Sequence, residues 1–350
     1  MRRLLFVAIP ILGFAISSVS GATQMTNESS KENTMQNNND NKKFALVIHG
    51  GAGVVSRESI PVADAKLMHI DLNKALDAGY EVLSKGGNAL DAVSASIIVL
   101  EDSPWFNAGK GSVFNAEGGH ELDASVMEGH SRRAGAVAGV TTIKNPILLA
   151  RSVMEKSAHV LLAGEGAEKF ADSQKDIERV DPKYFDTEKR LKQLQDAKAK
   201  EASHTTHTVQ GTYFGTVGAV ALDQQGHIAA GTSTGGMTNK KWSRIGDSPI
   251  IGAGTFATEN CGVSGTGWGE FYIRAVAAHD ICSRVEYRGD SIALAADDVI
   301  NKIIPAMGGD GGAIALDKAG NIAMPFNTGG MSRGWINPDG TRGTAIFKDD

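Results

Sequence analysis

Apolar residues recur along this chain with two spacings, one of strands and one of helices. Residues 44–48 form a short apolar run that reads as a buried strand. It leads into His49-Gly50-Gly51-Ala52-Gly53, which predicts a Gly-rich turn able to cradle an anion with its N–H groups, or simply a tight exit from the strand. Residues 63–83 carry the helical period and stop at Gly86-Gly87. Asn88 is a good N-cap for a second helix that stays apolar through Leu100. Residues 104–114 are rich in turn formers, 120–127 alternate like a strand, and 134–142 form a strand of small residues. Asn145-Pro146 opens a helix to about residue 157, and 163–171 suit a further short one.

The pattern breaks between residues 186 and 215. The stretch is charged and then polar, which predicts a flexible, exposed linker, either between domains or left as a tail by an internal cut. His204 and His207 in such a stretch read as solvated side chains rather than metal ligands. Strands resume at Val217. The segment from Gly218 through Asp223, Gly226, Ile228 and Thr234-Gly235-Gly236-Met237 is repeated at Gly312 through Asp317, Gly320, Ile322 and Thr328-Gly329-Gly330-Met331. Two such hairpins predict neighbouring strands of a layered sheet. Asp310 stands in the second copy where Thr216 stands in the first, so the hairpin does not itself require Thr there. Residues 271–278 read as a helix with Thr266 and Gly267 just before its N-terminus, where N–H groups suit an oxyanion and Thr266 could equally cap. Residues 291–304 form a last helix ended by Pro305 and Gly308-Gly309.

Composition narrows the class. The 350 residues are 41% hydrophobic and 21% charged, enough for a sizeable core in a soluble protein. The formal net charge of -5, with no long basic run, argues against a nucleic-acid partner. The 42 glycines imply many tight turns and close backbone approaches. Two cysteines make no disulfide framework, and no motif has a known metal-ligand spacing. Arg2-Arg3, the apolar stretch 4–16 and Ser20-Gly21-Ala22 read as a cleaved secretory signal over residues 1–22, which points to a periplasmic or extracellular protein with no membrane segment once mature. Residues 23–43 are polar and of low complexity and read as a disordered leader.

The candidate chemistry centres on one peptide bond, Gly215–Thr216. Cutting it would make Thr216 an N-terminus, with an α-amine of pKa near ~8 able to act as base for its own hydroxyl. Arg244 and Asp247, on one loop, could clamp the carboxylate and ammonium of an amino acid, or form an ordinary surface ion pair.

These residues, together with His49-Gly50-Gly51-Ala52-Gly53, the Gly87 to Val93 segment, Phe106-Asn107-Ala108-Gly109, Glu121-Leu122-Asp123-Ala124, Ser233-Thr234-Gly235-Gly236 and the Arg244 to Pro249 segment, resemble the plant-type asparaginases or isoaspartyl peptidases. The likeness runs from about Phe44 to the C-terminus. It implies a four-layer αββα sandwich over residues 44–350, self-cleavage into an α subunit (44–215) and a β subunit (216–350), and an (αβ)2 assembly. It implies Thr216 as nucleophile, assisted by Thr234 and Asn107. Arg244, Asp247 and the carbonyl of Gly269 would hold the substrate's head group, and Thr266 and Gly267 the oxyanion. No cofactor is implied for catalysis, but a sodium ion would be held by the carbonyls of Leu100, Glu101, Phe106, Ala108 and Lys110. Trp268 stands where the family usually carries a small residue, which bears on the leaving group. The resemblance predicts hydrolysis of β-aspartyl amides, in asparagine and isoaspartyl dipeptides, to aspartate. An N4-glycosylasparaginase of the same fold is the near alternative, and a non-enzymatic periplasmic amino-acid-binding protein the distant one.

Overall fold

In the computed structural model the described residues are 43–53, 56–203 and 215–350. The signal and the leader up to residue 42, as well as His204 and His207, lie outside them. Twelve described strands form two sheets. Eight of them, β1 (Ala45–Gly53), β2 (Leu122–Glu128), β3 (Ala134–Val140), β4 (Leu161–Ala163), β5 (Val217–Leu222), β6 (Ile228–Thr234), β11 (Gly330–Ile336) and β12 (Arg342–Phe347), join in the order β12-β11-β1-β5-β6-β2-β3-β4. The other four, β7 (Thr255–Ala257), β8 (Cys261–Gly267), β9 (Gly311–Asp317) and β10 (Ile322–Ala323), run β10-β9-β8-β7.

The layers follow from the period-2 alternation of the strands. Leu46 and Ile48 of β1 and Val217, Ala219 and Ala221 of β5 face one way, into a core shared with α1 (Val62–Ser84), α2 (Ala89–Glu101) and α3 (Pro146–Lys156). Ala45, Val47, Val220 and Leu222 face the other way and meet Ile314 and Leu316 of β9 between the two sheets. The opposite face of the small sheet, with Val263, Ala313 and Ala315, packs on a second helical layer. That layer comprises α6 (Gly269–Ala275), α7 (Ala277–Ser283), α8 (Ile292–Asp297) and α9 (Ile304–Ala306). The result is a four-layer αββα sandwich. Each buried aliphatic side chain contributes roughly 1.5–3 kcal/mol. Among the described residues no helix is long and apolar enough to cross a membrane.

Several local expectations need correction. Residues 188–202 are not a flexible linker but helix α5 (Glu188–Ala202), following α4 (Gly164–Asp172) in the chain. The charge masked a run of good helix formers behind Thr187, whose side chain caps Arg190 N. The helix is tied down by buried Arg190 and Leu194, the Arg190 Nε donating to Gly111 O at 2.7 Å. The Gly-rich stretch 49–53 is not a turn; it continues β1 through a bulge between His49 and Gly51. The two sequence-related hairpins are not neighbours in one sheet. β5-β6 lies in the large sheet and β9-β10 in the small one, and they stack across the central core. The helix expected at 271–278 is broken at Val276, which has φ 49°, into α6 and α7. The last helix runs on through Pro305 to Ala306, with a wide turn at 298–303.

Cys261 and Cys282 form a disulfide that ties β8 to α7 across a sequence separation of 21. Closing a loop of this size stabilises a fold by roughly 3 kcal/mol.

Candidate active site

Thr216 sits one residue before β5, so the antiparallel pairing of β5 with β1 and β6 sets its position. Gly215, just ahead of it, has φ 48°, a left-handed conformation that favours glycine. A Cβ built there would stand 2.6 Å from Gly50 O and 2.8 Å from Gly51 Cα, so the bulged end of β1 presses directly on the bond before Thr216. The Gly215 carbonyl accepts a hydrogen bond from Asn107 N at 3.1 Å. Asn107 therefore reaches this bond through its main chain. Its side chain is engaged elsewhere, Nδ2 donating to Gly236 O at 2.7 Å and Oδ1 accepting from Val113 N at 2.9 Å.

The Thr216 hydroxyl donates to Thr234 Oγ1 at 3.0 Å, and Thr234 Oγ1 also accepts from Gly236 N at 3.0 Å. Thr234 ends β6, beside the start of β5. Thr266 and Gly267 end β8 and line the same pocket as Thr216 and Thr234. Thr266 is not a helix cap: α6 begins at Gly269 with Trp268 at its cap and no side-chain cap bond. Its Oγ1 instead accepts from Ala52 N at 3.1 Å, the use to which one N–H of the Gly-rich stretch is put.

Arg244 and Asp247 line the far side of this pocket. They close on Gly269, whose added Cβ would lie 2.8 Å from both Arg244 Nη2 and Asp247 Oδ1. They do not form an ion pair with each other, the duller of the two readings. Arg244 is held by Glu270, with Nε to Oε1 at 2.9 Å and Nη2 to Oε2 at 2.6 Å. One edge of the guanidinium fork is thus taken, leaving the Nη1 side for a ligand carboxylate. Asp247 is buried, and burial pushes its carboxyl up to about 6 against the downward pull of Arg244. Its Oδ2 has no hydrogen-bond partner in the protein, an unmet acceptor inside the site. The side chain of Trp268 packs edge-on against Phe271, with centroids 5.1 Å apart, and hydrogen-bonds the Glu270 carboxylate. It therefore supports the Arg244–Glu270 pair.

Two groups near the site, buried His49 and exposed Glu270, had no role assigned from sequence. His49 Nε2 bonds Ser264 Oγ at 2.8 Å, and Ser264 Oγ bonds Thr232 Oγ1 at 2.7 Å, a polar chain between the sheets beneath Thr216. Burial lowers the His49 imidazole to about 3, so it is neutral at physiological pH. Glu270 was legible only as an acid in a first helical turn, because the residue it pairs with is 26 positions away.

The 100–110 loop brings carbonyls together. A Cβ on Gly109 would lie 2.3 Å from Glu101 O, and one on Gly111 would lie 2.0 Å from Phe106 O and 2.9 Å from Ser103 O. Phe106 O and Ala108 O each accept one main-chain N–H, which leaves each a second lone pair, whereas Leu100 O accepts from both Asp102 N and Ser103 N. Among the described residues no cluster of His, Cys, Asp and Glu could hold a metal, so a cation here would sit on main-chain oxygens, and the crowded carbonyls fit that role. Lys110 turns its ammonium to the Tyr184 ring, 5.5 Å from the centroid, and can offer only its carbonyl.

A Thr hydroxyl at the head of an inner strand of an αββα sandwich, preceded by a strained-in glycine, defines the class of N-terminal-nucleophile hydrolases. The asparaginase family model matches residues 42–346. The chain belongs to this family. It is 47% identical to the isoaspartyl peptidase of Escherichia coli (strain K12) over 313 residues, covering 88% of this chain and 97% of the relative. It is 41% identical to a probable isoaspartyl peptidase/L-asparaginase 2 of Arabidopsis thaliana over 327 residues, 87% and 99% of the two chains. With a plant-type L-asparaginase of Pyrococcus abyssi it shares 43% over 300 residues, 82% and 94%.

Proposed function

We propose that this protein cuts itself before Thr216 and then hydrolyses β-aspartyl amide bonds, in asparagine and in isoaspartyl dipeptides, with Thr216 as nucleophile. The observation that carries this reading is the Thr216 hydroxyl, 3.0 Å from Thr234 Oγ1, behind a Gly215 carbonyl held by Asn107 N–H. In self-cleavage Oγ adds to the Gly215 carbonyl carbon, the C–N bond breaks, and the ester so formed is hydrolysed. Gly215 is left with a carboxylate and Thr216 with a free amine and hydroxyl. In turnover the amine takes the hydroxyl proton, Oγ adds to the substrate's side-chain carbonyl, and the proton passes to the departing nitrogen. Water then releases aspartate. Thr266 and Gly267 stabilise the oxyanion, Arg244 holds the α-carboxylate, and Asp247 with the Gly269 carbonyl holds the α-ammonium.

With the chain uncut, the pocket around Thr216 has room of about 10 Å³, enough for roughly one water. Substrate therefore enters only after Gly215 has withdrawn. The cleaved subunits stay together and pair as (αβ)2, with a sodium ion on the carbonyls of Leu100, Glu101, Phe106, Ala108 and Lys110 in a structural role. The signal at 1–22 exports the protein to the periplasm, and the Cys261–Cys282 disulfide favours an oxidising compartment.

Intact mass and N-terminal sequencing of purified protein test the whole reading. The expected result is two chains, one beginning Thr216-Val217-Gly218 and the other shortly after Ala22, with ammonia released from asparagine. A single chain that binds an amino acid without releasing ammonia would overturn it.

Activity should also follow Asp247. Its carboxyl titrates at about 6 and attracts an ammonium only when ionised. As pH falls through that value, kcat/KM for asparagine is expected to drop, by about tenfold per unit on the acid side. The pH–rate profile of Asp247→Asn should lack this limb and sit far lower throughout.

A further inference from the structure

A second cavity, of about 160 Å³, lies against the same peptide bond. A single water needs only roughly 10–15 Å³ by this measure, so the cavity has room for an amino-acid-sized group. Ala52, Asn107 and Gly215 line both this cavity and the pocket around Thr216. Gly215 therefore sits between the two spaces, and its withdrawal after cleavage makes them continuous.

The lining of this second space has a definite chemistry. Ile60, Met68 and Trp105 supply apolar surface. Helix α5 supplies two consecutive cations. Arg190 is buried, its Nε on Gly111 O and its Nη1 on Gln193 Oε1, so it acts as fixed positive charge. Lys189 is solvent-reachable, and its ammonium lies over the Trp105 ring, 5.2 Å from the centroid. An apolar pocket edged by positive charge fits an amino acid with an apolar side chain and a free carboxylate. The head group has its own place at Arg244 and Asp247, on the side of the pocket this cavity does not share.

We propose that this cavity is the leaving-group subsite for isoaspartyl dipeptides, with Lys189 binding the α-carboxylate of the departing residue and Ile60, Met68 and Trp105 its apolar side chain. The proposal rests on the β-aspartyl hydrolase reading above, and it makes α5 part of substrate recognition. It also gives the two substrate types different demands, because asparagine releases ammonia and has nothing to place there.

The test compares β-aspartyl-leucine with its C-terminal amide, and both with asparagine, on self-cleaved wild type, Lys189→Met and Lys189→Arg. Wild type is expected to prefer the acid to the amide by about fivefold at low salt, the preference shrinking as ionic strength rises. Lys189→Met should abolish that preference through KM and lower the dipeptide-to-asparagine ratio of kcat/KM by a similar factor, and Lys189→Arg should restore both. A Lys189→Met protein, two-chained on a denaturing gel, that keeps the acid-over-amide preference overturns the subsite. So does a wild type that hydrolyses the acid and the amide equally well. A wild type that neither cuts itself nor hydrolyses any of the three substrates overturns the hydrolase reading, and the subsite with it.

Discussion

Thr216→Ala is expected to run as one uncut chain and to lose hydrolysis of asparagine and of isoaspartyl dipeptides by a factor on the order of 10⁴ or more, the scale seen when a covalent nucleophile is removed. The loss has two sources. The hydroxyl that donates to Thr234 Oγ1 at 3.0 Å is gone, so nothing attacks the Gly215 carbonyl. The pocket then keeps its room for about one water, so substrate is excluded as well. Thr216→Ser keeps an attacking hydroxyl in the same place and should still yield two chains. A denaturing gel and an ammonia-release assay check both variants, and a Thr216→Ala protein that still appeared as two chains would sink the role given to this residue.

Arg244→Ala should fold and self-cleave yet show kcat/KM for asparagine lower by about 10²–10³-fold, the scale for losing a charge-assisted bidentate hold on a ligand carboxylate. The guanidinium is fixed by Glu270 on its Nε and Nη2 edge, at 2.9 and 2.6 Å, so it meets a ligand carboxylate already oriented. Its removal also leaves the Glu270 carboxylate facing the incoming carboxylate with no cation between them. Most of the loss should appear in KM, since the contact is made equally in ground and transition states. Arg244→Lys keeps the charge but not the planar fork, and should recover only part of the activity. Steady-state kinetics on both variants would refute this assignment if KM stayed at the wild-type value.

What could be read from sequence depended on how local each cause was. The strands β1 and β5 show as short apolar runs, β2 as an alternation, and Asn88 as a cap because it bonds Asp91 N only three residues on. Helix α5 is hidden in the sequence because its high charge imitates a solvated linker, and the two residues that bury it, Arg190 and Leu194, look no different in sequence from solvated ones. The Gly-rich stretch 49–53 looks like a turn in sequence because its strand partners, β11 and β5, lie far along the chain.

By itself the sequence determined the bond at which the proposed chemistry is centred and the residue types gathered around it: a Thr behind a Gly at a strand start, a second Thr ending the hairpin, an Arg and an Asp on one loop. These are local or motif-level properties. Only the tertiary structure decided what each of them does. It set Asn107 on the Gly215 carbonyl by its main chain rather than its side chain, gave Arg244 to Glu270, left Asp247 Oδ2 without a partner, and pressed the bulge of β1 onto Gly215. The physical reason is that hydrogen bonds and burial are settled by whatever lies across the sheet or the pocket, and that neighbour is usually dozens of residues away in the chain.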